Sequence, residues 1–439
     1  MSAQRRGSEW LEHWDPEDAA AWENGGKQLA WRTMSITTGN LTMAFATWFF
    51  VSAIAVKLDS AGISLSTKQL FWLTAMPGLA GGTLRIIHTF LVPIVGTRKV
   101  VAISTALLLI PLLGWTFALQ HPGAPYWLLI VLAFAVGLGG GNFSSFMPST
   151  SLFFPKRLQG SALGLQAGIG NFGVSLVQFV TPWVIGFAVI GSAQHNADGK
   201  QVWLQNAAMI WIPFVLVLAL IAWFGLKSVP VRANVREQAD IFKEKHTWIM
   251  TSLYIMTFGS FAGFSTIFPL LIKKTYGGFE GAPVPLHYAF VGPLVGSAAR
   301  VLAGPISDRF GGARVTTVSG IGLLGSAIGT CFFLKPSSVS DFDGFLFFML
   351  ALFFFAGIGN ASTFKQIPMI FAARQAGGVL GWTAAIAAYG PFLFAALIGT
   401  VIASAGSAIP FFIGAAVFYA LNIPLNWWFY ARRNAECPC

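Results

Sequence analysis

Charge is scarce in this sequence. Only 10% of its 439 residues are Asp, Glu, Lys or Arg, against about 25% in a soluble globular chain. With 55% hydrophobic residues and a mean hydropathy of +0.68, a water-soluble domain is excluded and a polytopic membrane protein is implied. Cysteine is scarce as well. Cys331, Cys437 and Cys439 make no disulfide framework, and the last two read as thiols of a short polar tail. Acidic residues are the rarer sign, 16 against 27 basic ones, for a net charge of +11. In a membrane protein that excess belongs to the loops of one side, so no nucleic-acid partner is expected. No metal cluster, nucleophile–base pair or cofactor fingerprint stands out, so neither an enzyme nor a cofactor or metal site is expected. The N-terminus has acids and tryptophans but no apolar segment before the first long run, which argues against a cleaved signal peptide.

What is present is a series of twelve apolar runs of roughly 20 residues or more, each long enough to cross a bilayer. The fold expected is an all-α membrane protein of twelve transmembrane helices in two six-helix halves. The expected divisions are an N-terminal segment (1–33), a first half (34–226), a polar linker (227–246), a second half (247–431) and a tail (432–439). Short loops on one side hold Arg98, Lys99, Lys156, Arg157, Arg309, Arg314, Arg374, Arg432 and Arg433, and the linker adds Arg232 and Arg236. The other side has scattered lysines partly offset by acids such as Asp59, Asp198 and Asp341. The bias toward basic residues on the inside makes the first side, and both termini, cytoplasmic.

The halves repeat. Arg157-x-x-Gly160-x-x-Leu163-Gly164-x-x-Ala167-x-Ile169-x-x-x-Gly173 matches Arg374-x-x-Gly377-x-x-Leu380-Gly381-x-x-Ala384-x-Ile386-x-x-x-Gly390 at a constant offset, and Gly-Gly-Gly-Asn at 139–142 is echoed by Gly-Ile-Gly-Asn at 357–360. Internal repeats with a site between the halves mark a secondary transporter. Gly168-Ile-Gly170-Asn-Phe-Gly173 imitates a dinucleotide fingerprint, but it lies inside a membrane run with no preceding strand, so its small residues are read as helix-contact positions.

Arg85 falls near the middle of the second run, just after Gly81 and Gly82, and Arg300 falls in the second run of the second half. Lys365 is the third cation read as lying deep, and no Asp or Glu accompanies them. Unpaired buried charge is costly, so the expected counter-ion is the substrate. A guanidinium is a planar fork that pairs with planar oxyanions; nitrate, nitrite, bicarbonate and small carboxylates all suit it. Phe45, Trp48, Phe143, Tyr254 and Phe258 offer rings near the arginines, which suit a thin, weakly hydrated anion. Asn142, Asn171 and Asn360 are able either to donate to an oxyanion or to bond helix to helix. Asp308, Arg309 and Arg314 sit in a turn where acid and arginines are expected to pair at a gate between helices.

The twelve-run plan, the two arginines and the run Gly164-Leu-Gln-Ala-Gly-Ile-Gly-Asn-Phe-Gly173 with its echo resemble the NarK-type nitrate/nitrite porters of the major facilitator superfamily, from Trp14-Asp15-Pro16-Glu17-Asp18 to the last run. That resemblance implies that Arg85 and Arg300 clamp the anion, with Phe45, Phe143, Asn171, Tyr254 and Phe258 lining the site. It also implies nitrate and nitrite as partners in a bacterial inner membrane. Two departures stand out. The second signature, Gly381-Trp-Thr-Ala-Ala-Ile-Ala-Ala-Tyr-Gly390, has alanines where glycines are frequent, and Lys365 stands where exchanger-like members carry a neutral side chain. Beside two arginines in a dry cavity, burial and like charge would keep Lys365 neutral until an anion arrives, so proton and nitrate would bind together. The expectation is nitrate/proton symport by a monomer, with Lys365 as the coupling group and His88 as a second titratable candidate. The alternatives are nitrate/nitrite exchange and a carrier for small carboxylates.

Overall fold

The computed structural model describes residues 9–121, 123–195, 199–230 and 239–439. Arg232, Arg236, Asp198 and the side chain of Arg374 lie outside the described residues. Twelve long helices dominate: α1 (Ala19–Ala61), α2 (Thr67–Thr89), α3 (Thr97–Ala118), α4 (Tyr126–Ser151), α5 (Lys156–Val184), α6 (Asn206–Gly225), α7 (Lys245–Tyr276), α8 (Pro285–Phe310), α9 (Gly312–Cys331), α10 (Val339–Ile370), α11 (Gln375–Ala405) and α12 (Ile409–Ala431). Eleven of them are apolar enough to span a membrane by composition alone. The exception is α9, whose hydropathy is diluted by glycine, serine and threonine. Its 20 residues still reach about 30 Å, enough to cross a bilayer. A two-stranded hairpin, β1 (Gln194–His195) with β2 (Gln201–Val202), lies between α5 and α6.

Local chemistry explains where helices begin. The Asp18 carboxylate caps α1 by accepting from the backbone N–H groups of Ala20 and Ala21 at 2.9 and 3.2 Å. The helix therefore starts well before residue 34, where the apolar run suggested, and kinks at Gly25, whose φ of +105° needs a glycine. This early part anchors the N-terminal segment: Trp22 packs on Phe154, and Trp14 on Phe153, at the α4–α5 turn. Ser66 and Gln69 form a reciprocal capping box at the start of α2.

The halves meet along two seams. In one, α2 runs against α11: the Thr83 and Tyr389 hydroxyls hydrogen-bond at 2.8 Å, and a side chain at Gly82 would strike the Tyr389 ring. In the other, α5 runs against α8, with Ser175 donating to the Phe290 carbonyl at 2.8 Å. The halves also touch on the face away from the termini. There Lys273 of α7 reaches both the Val56 carbonyl and Asp59 of α1 at 2.8 Å, and Phe179 packs edge-on against Phe290 at 5.0 Å.

On the face of the termini, the tail folds back onto the second half. Glu436 pairs with Lys245 at 2.6 Å and approaches His246 at 3.3 Å, while the Ala313 N–H donates to the Cys439 carbonyl at 3.1 Å. Hydrogen bonding from Lys245, first among several causes, holds the Glu436 carboxyl below its ordinary range. A depressed carboxyl supports docking above its free pKa and loses that support as pH falls through the docked one, so the tail is held at neutral pH. Burial pushes the Cys439 thiol up to about 12, leaving little reactive thiolate. We predict that Glu436→Gln releases the tail and raises the maleimide labelling rate of Cys439 at pH 7 at least tenfold. An unchanged rate would show that the tail is held by other contacts.

Candidate functional site

Close approach of three helices builds the first half of the site. Gly81 of α2 meets Gly140 of α4, and the Trp48 indole of α1 lies across both. A Cβ on Gly81 would come within 2.7 Å of Trp48 Nε1, which is already committed to the Pro77 carbonyl at 2.8 Å. The glycines thus open the space into which Arg85, one turn later, extends. Arg85 is fully buried. Its Nε donates to the Gly140 carbonyl at 2.9 Å and its Nη1 to the Ala384 carbonyl of α11, in the other half, at 2.8 Å. Its Nη2 has no protein acceptor. The guanidinium carbon lies 4.6 Å from the ring centre of Phe143, 5.0 Å from Phe258 and 5.1 Å from Trp48.

The second half repeats this plan with different side chains. Gly296 precedes Arg300 by one turn, as Gly81 precedes Arg85, and the backbone of Gly357 on α10 packs on Gly296 as Gly140 packs on Gly81. Arg300 is 3% exposed, and its guanidinium carbon lies 5.3 Å from the Phe364 ring centre. With its carboxamide turned to satisfy both ends, Asn171 of α5 accepts from Arg300 Nη1 and donates to the Ala167 carbonyl, each at 3.3 Å.

Rings join the two cations. Tyr254 stacks on Phe258 at 5.4 Å and 7°, and lies 4.8 Å from Phe364. Phe143 is 6.3 Å from both Phe258 and Phe364. The buried Tyr254 hydroxyl lies near both guanidiniums and has no hydrogen bond of good geometry to the protein. No carboxylate pairs with either arginine among the described residues; the ion pairs there lie elsewhere. Each cation–π contact is worth roughly 0.5–2 kcal/mol, which does not offset the several kcal/mol of desolvation that a buried ion costs. The site is a buried, aromatic, doubly cationic space with donors left over. Such a space suits a flat, weakly hydrated oxyanion.

The structure brings Arg85, Arg300, Phe143, Asn171, Tyr254 and Phe258 together, with Phe45 behind them, edge-on to Phe143 at 6.1 Å and to Trp48 at 5.4 Å. It adds Phe364 and the carbonyls of Gly140 and Ala384. The carbonyls leave no mark in a side-chain reading, but Phe364 stands next to the lysine that drew attention.

That lysine requires a correction. Lys365 is not buried beside the arginines: it is 44% exposed and ion-paired with Asp308 of α8. Successive helical residues point about 100° apart, so Phe364 facing Arg300 turns Lys365 away. The expected gate also differs. Asp308 pairs with Lys365 rather than with the neighbouring arginines; Arg309 lies over the Phe310 ring at 5.4 Å, and Arg314 is exposed. His88, one turn beyond Arg85, is buried and its Nδ1 shares a hydrogen bond with Ser145 at 2.9 Å. No group of three metal-ligating side chains occurs among the described residues.

The chain matches the Major Facilitator Superfamily over residues 36–320. It is 64% identical over 438 residues to the probable nitrate/nitrite antiporter NarK2 of Thermus thermophilus, covering 98% of each chain. It is 38% identical over 452 residues to the nitrate/nitrite transporter NarU of Salmonella typhimurium, covering 97% of each. It is also 27% identical over 410 residues to the nitrite extrusion protein of Bacillus subtilis, covering 92% of this chain and 95% of that one. In fold it is similar to a bacterial homolog of the human lysosomal transporter Spinster, solved in an inward-facing and occupied conformation. That likeness has a TM-score of 0.63 and 14% identity, over 90% of this chain and 95% of the other. With its twelve helices in two halves and its paired buried arginines, the chain belongs to the NarK-type nitrate/nitrite porters of the major facilitator superfamily, a family of membrane carriers and not of enzymes.

Proposed function

We propose that this protein exchanges nitrate for nitrite across the bacterial cytoplasmic membrane, with both termini in the cytoplasm. The observation that carries the reading is the position of Lys365. Paired with Asp308 and half-exposed, it is not among the groups that face the arginines. That position speaks against Lys365 as the group that ties nitrate to a proton and, with His88 engaged by Ser145, supports exchange, the alternative. The site's charge comes from two guanidiniums. An empty site must carry that charge through the conformational change uncompensated. An anion moving in either direction relieves the cost, so obligatory exchange follows from the charge balance.

Substrate chemistry follows from the donors. Arg85 Nη2, Arg300 and the Tyr254 hydroxyl can meet the in-plane lone pairs of a flat monovalent oxyanion, while the ring faces favour one that gives up water easily. The relatives' names agree with nitrate and nitrite. The orientation rests on the basic residues of the face that bears the termini, among them Arg98, Lys99, Lys156, Arg157, Arg314 and Arg433.

The test is the purified protein in liposomes, given external labelled nitrate with either internal nitrite or an imposed pH gradient. Exchange predicts uptake that requires internal nitrite and ignores the gradient; proton-driven accumulation into empty vesicles would overturn it. Lys365→Gln should change turnover by loosening α8 from α10, yet leave the requirement for internal anion intact. Arg85→Lys keeps the charge and loses the fork. A hydrogen bond to a charged group is worth about 1.5–3 kcal/mol, so nitrate affinity should fall roughly 10- to 100-fold. Wild-type affinity in that variant would remove the arginine clamp from the account.

A further inference from the structure

The two halves differ at one position beside the cations. The sequence echo pairs Asn142 with Asn360, but packing shifts the register by one. Gly140 sits on Gly81 and Gly357 sits on Gly296, so an offset of three along each helix matches Phe143 to Asn360. Phe143 supplies the ring 4.6 Å from Arg85. The corresponding place beside Arg300 therefore holds a carboxamide. Two further contacts bracket it on the same face of α10. Gly357, three residues before, touches Gly296, and Phe364, four residues after, touches the Arg300 guanidinium. Asn360 is fully buried, and neither its Nδ2 nor its Oδ1 has a protein partner. An amide that served to bond helix to helix would show that bond. Leaving a buried amide unmatched is costly, so its retention calls for another partner.

We infer that Asn360 contacts the transported anion and sets the preference for nitrate over nitrite. The inference rests on the anion reading above. The free Nη2 of Arg85 and the Arg300 guanidinium each meet an oxygen of a planar anion. Nitrate has three such oxygens and nitrite has two. A donor beside Arg300 therefore adds a hydrogen bond to an oxygen that nitrate possesses and nitrite lacks. The Asn360 Nδ2 donates that bond, whereas the matching place beside Arg85 holds the Phe143 ring; the equally buried and unpartnered Asn142 stands one residue earlier, about 100° around α4. The asymmetry between the halves thus becomes a selectivity device.

Equilibrium binding of nitrate and of nitrite to the purified full-length protein, with Tm measured alongside, tests this. Asn360→Leu keeps the volume and removes the amide. Its nitrate affinity should fall about tenfold, while nitrite affinity changes less than threefold and Tm holds or rises. Asn360→Asp, of nearly the same shape, brings negative charge to the site and should weaken both anions more than Asn360→Leu does. A wild-type affinity ratio in Asn360→Leu would overturn the inference, as would equal loss of both anions with a lowered Tm, which marks a packing role. Wild-type protein that binds neither anion would overturn the anion reading itself, a result distinguishable from the other two.

Discussion

The charge of Arg85 is the constraint on which the rest depends. A guanidinium with no solvent access and no carboxylate must be stabilised by whatever the fold can aim at it. Here that is two backbone carbonyls and three ring faces. Each demands something of the chain. The Gly140 carbonyl is reached because Gly81 and Gly140 let α2 and α4 approach without side chains between them. Phe143 follows Gly140 by three residues and so lies on the same face. Trp48 is held by the Pro77 carbonyl, to which its Nε1 donates at 2.8 Å. Glycines, a proline and aromatics that look like ordinary membrane-helix composition are thus parts of one arrangement.

Much of this was legible in the sequence, for identifiable reasons. Hydropathy marks helices because a bilayer forces every backbone group to be satisfied within its own segment, and buried charge is rare enough there that Arg85 and Arg300 stand out. Helix α9 shows the limit of that signal. Its glycine, serine and threonine residues serve packing against neighbours, which composition alone scores as weak apolarity. Lys365 shows a second limit. Depth along a run says nothing of which way a side chain points, and one step of 100° separates a residue that faces the arginines from one that faces Asp308. The repeat shows a third. The Gly-Gly-Gly-Asn echo aligned by letters is one residue away from the alignment made by contact, because what the fold repeats is a glycine under an arginine and not a tetrapeptide.

The acceptors of Arg85 also come from both halves: Gly140 belongs to the first, Ala384 to the second. Under exchange the halves would rock along α2 and α11, where the Thr83–Tyr389 hydrogen bond and the Ala384 contact both cross the seam. On the exchange reading, a guanidinium that loses the Ala384 carbonyl during that motion stays in a space lined by rings, where water cannot replace what was lost. An anion already seated against Nη2 is the one partner that moves with it. On that reading the bond that secures the empty site in one conformation would also make the empty site slow to leave it, and Arg85 would both hold the cargo and enforce that some cargo be present.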